Sequence, residues 1–246
     1  MFEKTFKINY CETDIEGFLF LPQLFYYSQE TSISDTDIKK HNLKYYIDND
    51  FGWVYLTWNG KIHRYPKFNE EITFTTGIIK YNGVFGDRGF VARDKDQNII
   101  FEGEVKVVLL NLKTKEIIKP SDEIIDDYGE KANASNFEYK RVPKIMNYEF
   151  VYEKEITVLR HNTDSNKHTN NISYLQYAED FIPIELYKEY KVSDLSASFR
   201  KESFLDDKLI FKVYVNEDSK EVVVNIFKEE VLISDIFFKM KRKDSF

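Results

Sequence analysis

The chain has 246 residues, enough for one large domain or two small ones and in either case for a sizeable core. Its formal net charge of −7 argues against a nucleic-acid binder, and its single cysteine, Cys11, excludes an intramolecular disulfide, so nothing demands an oxidising compartment. Aromatic residues make up 16%, nearly all Tyr and Phe, rings that fill cores and also line pockets for long apolar ligands.

Residues 2–10 alternate apolar and polar, as a strand does, and do not read as a signal peptide. No apolar run approaches the ~18 residues of a membrane span. The expectation is a soluble, cytoplasmic protein without membrane insertion. After the polar turn Glu12-Thr13-Asp14-Ile15-Glu16-Gly17, Leu24, Phe25, Tyr27, Ser28, Thr31 and Ser32 recur at helical spacing and predict a helix over 21–36. A further helical turn or two is expected within 37–49. Strands follow at 53–65, 71–81, 87–94 and 99–111, punctuated by Asn82-Gly83 and by Asp94-Lys95-Asp96-Gln97-Asn98. Residues 112–147, with Pro120, Gly129 and Pro143, read as a linker with one short helix.

The same order then repeats. A strand is expected at 148–159, a polar segment at 161–171 and a helix over 172–190 that Pro183 bends or breaks. Strands follow at 195–204, 208–216, 221–228 and 231–241. This is an internal repeat of element order. Tyr10-Cys11-Glu12-Thr13-Asp14 aligns with Arg160-His161-Asn162-Thr163-Asp164, and Pro66 is set against Glu202. Where the second copy has Asn166 and His168, the first has Glu16 and Phe18.

The densest polar string is Asp164-Ser165-Asn166-Lys167-His168-Thr169-Asn170-Asn171, between a strand and a helix, and it holds one of the four histidines. Such residues are ordinary turn and cap formers. A helix start also offers free N–H groups and a positive dipole end, which suit an oxyanion. Phe199-Arg200-Lys201-Glu202-Ser203 taken alone is a charged strand end.

Together these strings are specific. Asp164 through Tyr174 resembles the D-x-N-x-H-x-N-N-x-x-Y signature of acyl-ACP thioesterases, and Phe199-Arg200-Lys201-Glu202-Ser203 resembles that family's Y-R-R-E-C segment. Gln29-Glu30-Thr31, Trp53-Val54, Tyr65-Pro66, Arg88, Arg93-Asp94 and Leu112-Lys113-Thr114-Lys115 fall in the family's order. The resemblance implies an α+β fold of tandem hotdog domains forming a pseudo-dimer, each a long helix wrapped by a curved antiparallel sheet. Residues 1–125 are then an N-terminal hotdog carrying the acyl-chain pocket, 126–149 a linker, and 150–246 a C-terminal hotdog carrying the chemistry.

It also implies a catalytic set of Asp164, Asn166, His168 and Glu202. Glu202 is expected to activate water as general base, with His168 sharing that proton transfer. Ser203, Asn170 and Asn171 are candidate accessory residues, the last two through backbone N–H groups of an oxyanion hole. Ser203 stands where the family often carries Cys, and a hydroxyl is a far poorer nucleophile than a thiol. The acyl-chain wall is expected from Phe18, Phe20, Leu21, Phe25 and Trp53, along a tunnel from the Asn166–His168 region into the N-terminal hotdog.

The implied partner is acyl carrier protein bearing a phosphopantetheine-linked acyl chain. Its acidic surface calls for a basic patch, for which Lys39-Lys40, Arg200-Lys201 and the Lys239–Lys243 tail are candidates. No cofactor, metal or nucleic acid is implied, and a homodimer is left open. The competing readings are an acyl-CoA thioesterase of the hotdog superfamily and a non-catalytic acyl-binding hotdog protein. The second predicts loss of the polar set, which this chain retains.

Overall fold

In the computed structural model, which describes residues 1–128 and 141–246, the chain divides into two compact units, Met1–Tyr139 and Lys140–Phe246. Residues 129–140 of the expected linker lie outside the described residues.

The first unit opens with β1 (Phe2–Lys7) and a 3-10 turn at Tyr10–Glu12. The long helix α1 (Leu21–Asp37) carries Pro22 in its first turn, where a missing N–H removes no helical bond. Helix α2 (Leu43–Asp48) is capped by Asn42, whose side chain accepts from the Tyr45 N–H. Strands β2 (Phe51–Ile62), β3 (Glu71–Asn82), β4 (Phe85–Asp94), β5 (Ile99–Asn111) and the short β6 (Ile117–Ile118) follow, then α3 (Asp122–Asp127). The sheet runs β1-β3-β4-β5-β2, antiparallel throughout, with β6 on β5.

The second unit repeats this plan: β7 (Glu149–Thr157), a 3-10 turn at Arg160–Asn162, then α4 (Asn171–Asp180), α5 (Ile184–Glu189), β8 (Tyr190–Phe199), β9 (Lys208–Asn216), β10 (Glu221–Lys228) and β11 (Val231–Arg242). Its sheet runs β7-β9-β10-β11-β8, the same topology element for element. The helix expected over 172–190 is two helices, because Pro183 cannot continue α4 and instead caps α5. β8 begins five residues before its expected start, since Tyr190 and Lys191 pair with Arg242 and Lys241 of β11.

In each unit a helix lies on one face of an antiparallel sheet, the α+β hotdog arrangement expected from the sequence. α1 rests on β1 and β3 and buries Leu21, Leu24 and Phe25 completely. Phe25 meets Trp58 edge-on at 4.9 Å and Phe101 at 5.5 Å. Gly60 makes room for both rings: a Cβ there would lie 2.7 Å from the Phe101 ring and 2.8 Å from that of Phe25. In the second unit Tyr174 of α4 stacks on Phe199, and Tyr177 packs on Phe211.

Candidate active site

The loop from Thr163 to Asn170 is closed by a bridge between Thr163 and Thr169, and Lys167 turns it with φ +66°. The Asp164 carboxylate holds the turn from inside, accepting the N–H groups of Asn166 at 2.8 Å and His168 at 3.2 Å. Asn166 is left at the exposed tip, its side chain bonded to no described residue. Asn170 caps α4 by accepting from the Ile172 N–H at 2.9 Å. Its own N–H donates to the Asn162 carbonyl at 2.8 Å, so it is not available as the oxyanion donor the sequence suggested. The Asn171 N–H, at the first position of the helix, has no partner among the described residues.

Glu202 reaches this loop from the end of β8. The N–H groups of Arg200 and Lys201 both donate to the carbonyl of Ile233, a bulge that ends the ladder. The chain then turns so that Glu202 is exposed and Ser203 wholly buried. A bridge between His168 and Phe204 closes the two segments. It brings His168 Nδ1 to 3.4 Å from Glu202 Oε1, and Phe204 packs edge-on against the imidazole at 5.2 Å. The His168 and Glu202 side chains are 21% and 37% exposed, so water can reach both. His168 Nε2 has no hydrogen-bond partner among the described residues. The pair can therefore move a proton between a bound water, the carboxylate and the imidazole. No third His, Cys, Asp or Glu among the described residues joins them in a metal-holding group.

The first unit builds the same two segments without the chemistry. Asp14 accepts the N–H groups of Glu16 at 2.9 Å and Phe18 at 3.0 Å, as Asp164 does for Asn166 and His168. The Leu19 N–H donates to the Pro66 carbonyl, as Thr169 does to Ser203. His63 and Arg64 share the carbonyl of Ile100, as Arg200 and Lys201 share that of Ile233. These bonds correct the alignment drawn from the sequence: Pro66 matches Ser203, and Tyr65 stands where Glu202 does.

The residues expected to wall the acyl chain sit in different surroundings within the first unit. Leu21 and Phe25 lie in the core under α1. Trp53 packs with Tyr46 and Tyr81 around the α2 side of that unit. Phe18 stays on the loop, 4.8 Å under the Lys67 ammonium, and Phe20 is 39% exposed. Most of the basic candidates are paired within the chain: Lys39 with Asp35, Lys40 with Glu123, Arg200 with Asp235, Lys239 with Glu221, and Arg242 with Glu189. Lys167 and Lys201, next to His168 and Glu202 in the chain, and Arg160, just before the loop, are exposed and form no ion pair among the described residues. Two of these, Arg160 and Lys167, were not singled out from the sequence; an ion-pair partner is assigned by tertiary contact, which a linear string does not display.

Two family models cover most of the chain. The acyl-ACP thioesterase N-terminal domain matches residues 1–128, and the acyl-ACP thioesterase C-terminal domain matches residues 147–232. The chain belongs to the acyl-ACP thioesterase family. Among curated members, it is 22% identical over 184 residues to oleoyl-acyl carrier protein thioesterase 2, chloroplastic, of Arabidopsis thaliana, covering 70% of this chain and 49% of that protein. It is 24% identical over 180 residues to dodecanoyl-[acyl-carrier-protein] hydrolase, chloroplastic, of Umbellularia californica, covering 70% of this chain and 47% of that one. The chain thus spans about half the length of the curated relatives it matches. Its fold is that of solved acyl-ACP thioesterases. The 12:0-ACP thioesterase from Umbellularia californica superposes with a TM-score of 0.86 at 19% identity, covering 98% of this chain and 97% of that one. An acyl-ACP thioesterase from Bacteroides thetaiotaomicron gives 0.81 at 20% identity, with 97% of each chain covered. No helix among the described residues is long and apolar enough to cross a membrane.

Proposed function

We propose that this chain hydrolyses fatty acyl-ACP thioesters in the cytoplasm, releasing free fatty acid and holo-acyl carrier protein. The observation that carries the reading is the His168–Glu202 pair, 3.4 Å apart and open to solvent, in a chain whose two halves both match the thioesterase family. Glu202 takes a proton from water, and the hydroxide so formed attacks the thioester carbonyl carbon. The developing oxyanion is met by the Asn171 N–H at the positive end of α4, a helix of 10 residues. Collapse breaks the C–S bond, and the phosphopantetheine leaves as a thiolate, which takes the proton back through His168 or from solvent. Asn166, at the loop tip, orients the water or the carbonyl. Asp164 keeps the loop in shape. The N-terminal unit supplies the acyl-chain wall, with Phe18, Phe20, Leu21, Phe25 and Trp53 as its candidates. Arg160, Lys167 and Lys201 form the basic rim that meets the acidic carrier.

The test is turnover by the purified protein on matched acyl-ACP and acyl-CoA series, with the released acid identified by mass spectrometry. Release of fatty acid from acyl-ACP well ahead of the matched acyl-CoA is the expected result. Preference for acyl-CoA would move the assignment to the other carrier, and binding without turnover would make the protein an acyl-binding module.

A further inference from the structure

Three hydroxyl groups meet beneath the His168–Glu202 pair. Ser203 is 0% exposed, and its Oγ lies 2.5 Å from Thr169 Oγ1 and 2.8 Å from the Tyr174 hydroxyl. Thr169 and Tyr174 are buried as well. The main chain reinforces the junction, with the Thr169 N–H donating to the Ser203 carbonyl at 2.8 Å. The residue after the imidazole is thus tied to the residue after the carboxylate through both backbone and side chain. The third member comes from α4, so the helix that presents the Asn171 N–H is tied to the same point.

The first unit serves as an internal control. It makes the same backbone bond, from the Leu19 N–H to the Pro66 carbonyl at 2.8 Å. The three matching positions there are Leu19, Leu24 and Pro66, all buried and without a hydroxyl. Apolar side chains are therefore enough to close this junction as a matter of folding. The hydroxyls occur in the unit that holds the His168–Glu202 pair. Nor does the cluster look like an activated nucleophile: Ser203 bonds to two hydroxyls and to no base, and substrate has no access to it.

We infer that Ser203, Thr169 and Tyr174 form a hydroxyl clasp whose task is to position Glu202 against His168 and the start of α4, which makes them positioning residues for the chemical step. The inference rests on the hydrolytic reading above. A clasp of this kind acts on the geometry of the reacting groups and leaves carrier binding alone, so its loss is read in kcat.

The experiment compares Thr169→Val, Tyr174→Phe and Thr169→Ser, each alone and in a Glu202→Gln background, on acyl-ACP, together with a crystal structure of Thr169→Val. Thr169→Val and Tyr174→Phe should each lower kcat by about tenfold to a hundredfold with KM nearly unchanged. Thr169→Ser, which keeps the hydroxyl, should restore turnover. In the Glu202→Gln background the Thr169→Val loss should vanish, because the carboxylate it positions is already gone. Wild-type kcat in both variants, or an undiminished loss in the Glu202→Gln background, overturns the clasp while leaving hydrolysis intact. A wild-type protein that leaves acyl-ACP uncleaved overturns the hydrolytic reading instead, and the crystal structure then decides the clasp. His168 and Glu202 drawing apart by more than about 0.5 Å supports it, and an unchanged pair overturns it.

Discussion

Asp14 and Asp164 make the same two bonds to the N–H groups two and four residues on, yet only Asp164 has a His and a Glu beside it. A group that does the same work in a unit without the chemistry is there for the turn. The Asp164→Asn protein keeps a side-chain oxygen that can accept both N–H bonds. It should therefore retain kcat within about tenfold of wild type, whereas removal of a general base costs ~10²–10⁴-fold. Steady-state kinetics of Asp164→Asn beside Glu202→Gln separates the two, and equal losses would return Asp164 to the chemical step. His168 and Glu202 were legible in the sequence because the two motif strings carry them. Ser203 was legible only as a departure from the family's Cys. Its partners Thr169 and Tyr174 stand in the first motif string, but their bonds to Ser203 were not legible there, since three hydroxyls scattered over 35 positions reveal their bonding only when the chain is folded.

At the scale of elements, α3 is fastened to the turn after α1 by Asp127. Its carboxylate accepts the His41 N–H at 2.7 Å and lies 2.5 Å from His41 Nδ1. Burial alone would raise its pKa, but these bonds, with the nearby His41 and Lys40 charges, outweigh burial and hold it below the usual carboxylate range. A carboxyl whose folded pKa is depressed stabilises the fold above its unfolded value, about 3.9, and loses that contribution as pH falls through the folded value. The denaturation midpoint of Asp127→Asn should therefore sit below wild type near pH 7, with the gap closing below about pH 4. A gap that persists at low pH would contradict the assignment. At β2, Gly60→Ala should destabilise by about 1–3 kcal/mol by driving a methyl into Phe25 and Phe101, measured by the same denaturation. The long α1 and the break at Pro183 could be read from local sequence, because spacing and a missing N–H are local properties. The early start of β8 and the register that sets Tyr65 against Glu202 could not. They are fixed by the ladder to β11 and by two bulge carbonyls, Ile100 and Ile233, far along the chain.

The molecule repeats one topology twice and keeps the polar site in one copy. The first copy carries Phe18 and Tyr65 where the second has His168 and Glu202, and the proposed function assigns the acyl chain to the first half and the thioester to the second. The loss of Asn and His from one of two aligned loops needs no coordinates to see. For the acidic carrier of the proposed function, a net charge of −7 is repulsive overall and favours oriented approach through exposed cations such as Lys167 and Lys201, which flank His168 and Glu202 in the chain. Glu202 as the general base is tested by the steady-state turnover of acyl-ACP by Glu202→Gln against wild type, with intact-mass analysis of the quenched reaction. The expected result is a fall in kcat of ~10²–10⁴-fold with KM little changed and no acyl adduct on the wild-type protein. A Glu202→Gln enzyme within tenfold of wild type, or an acyl group trapped on Ser203, would contradict it.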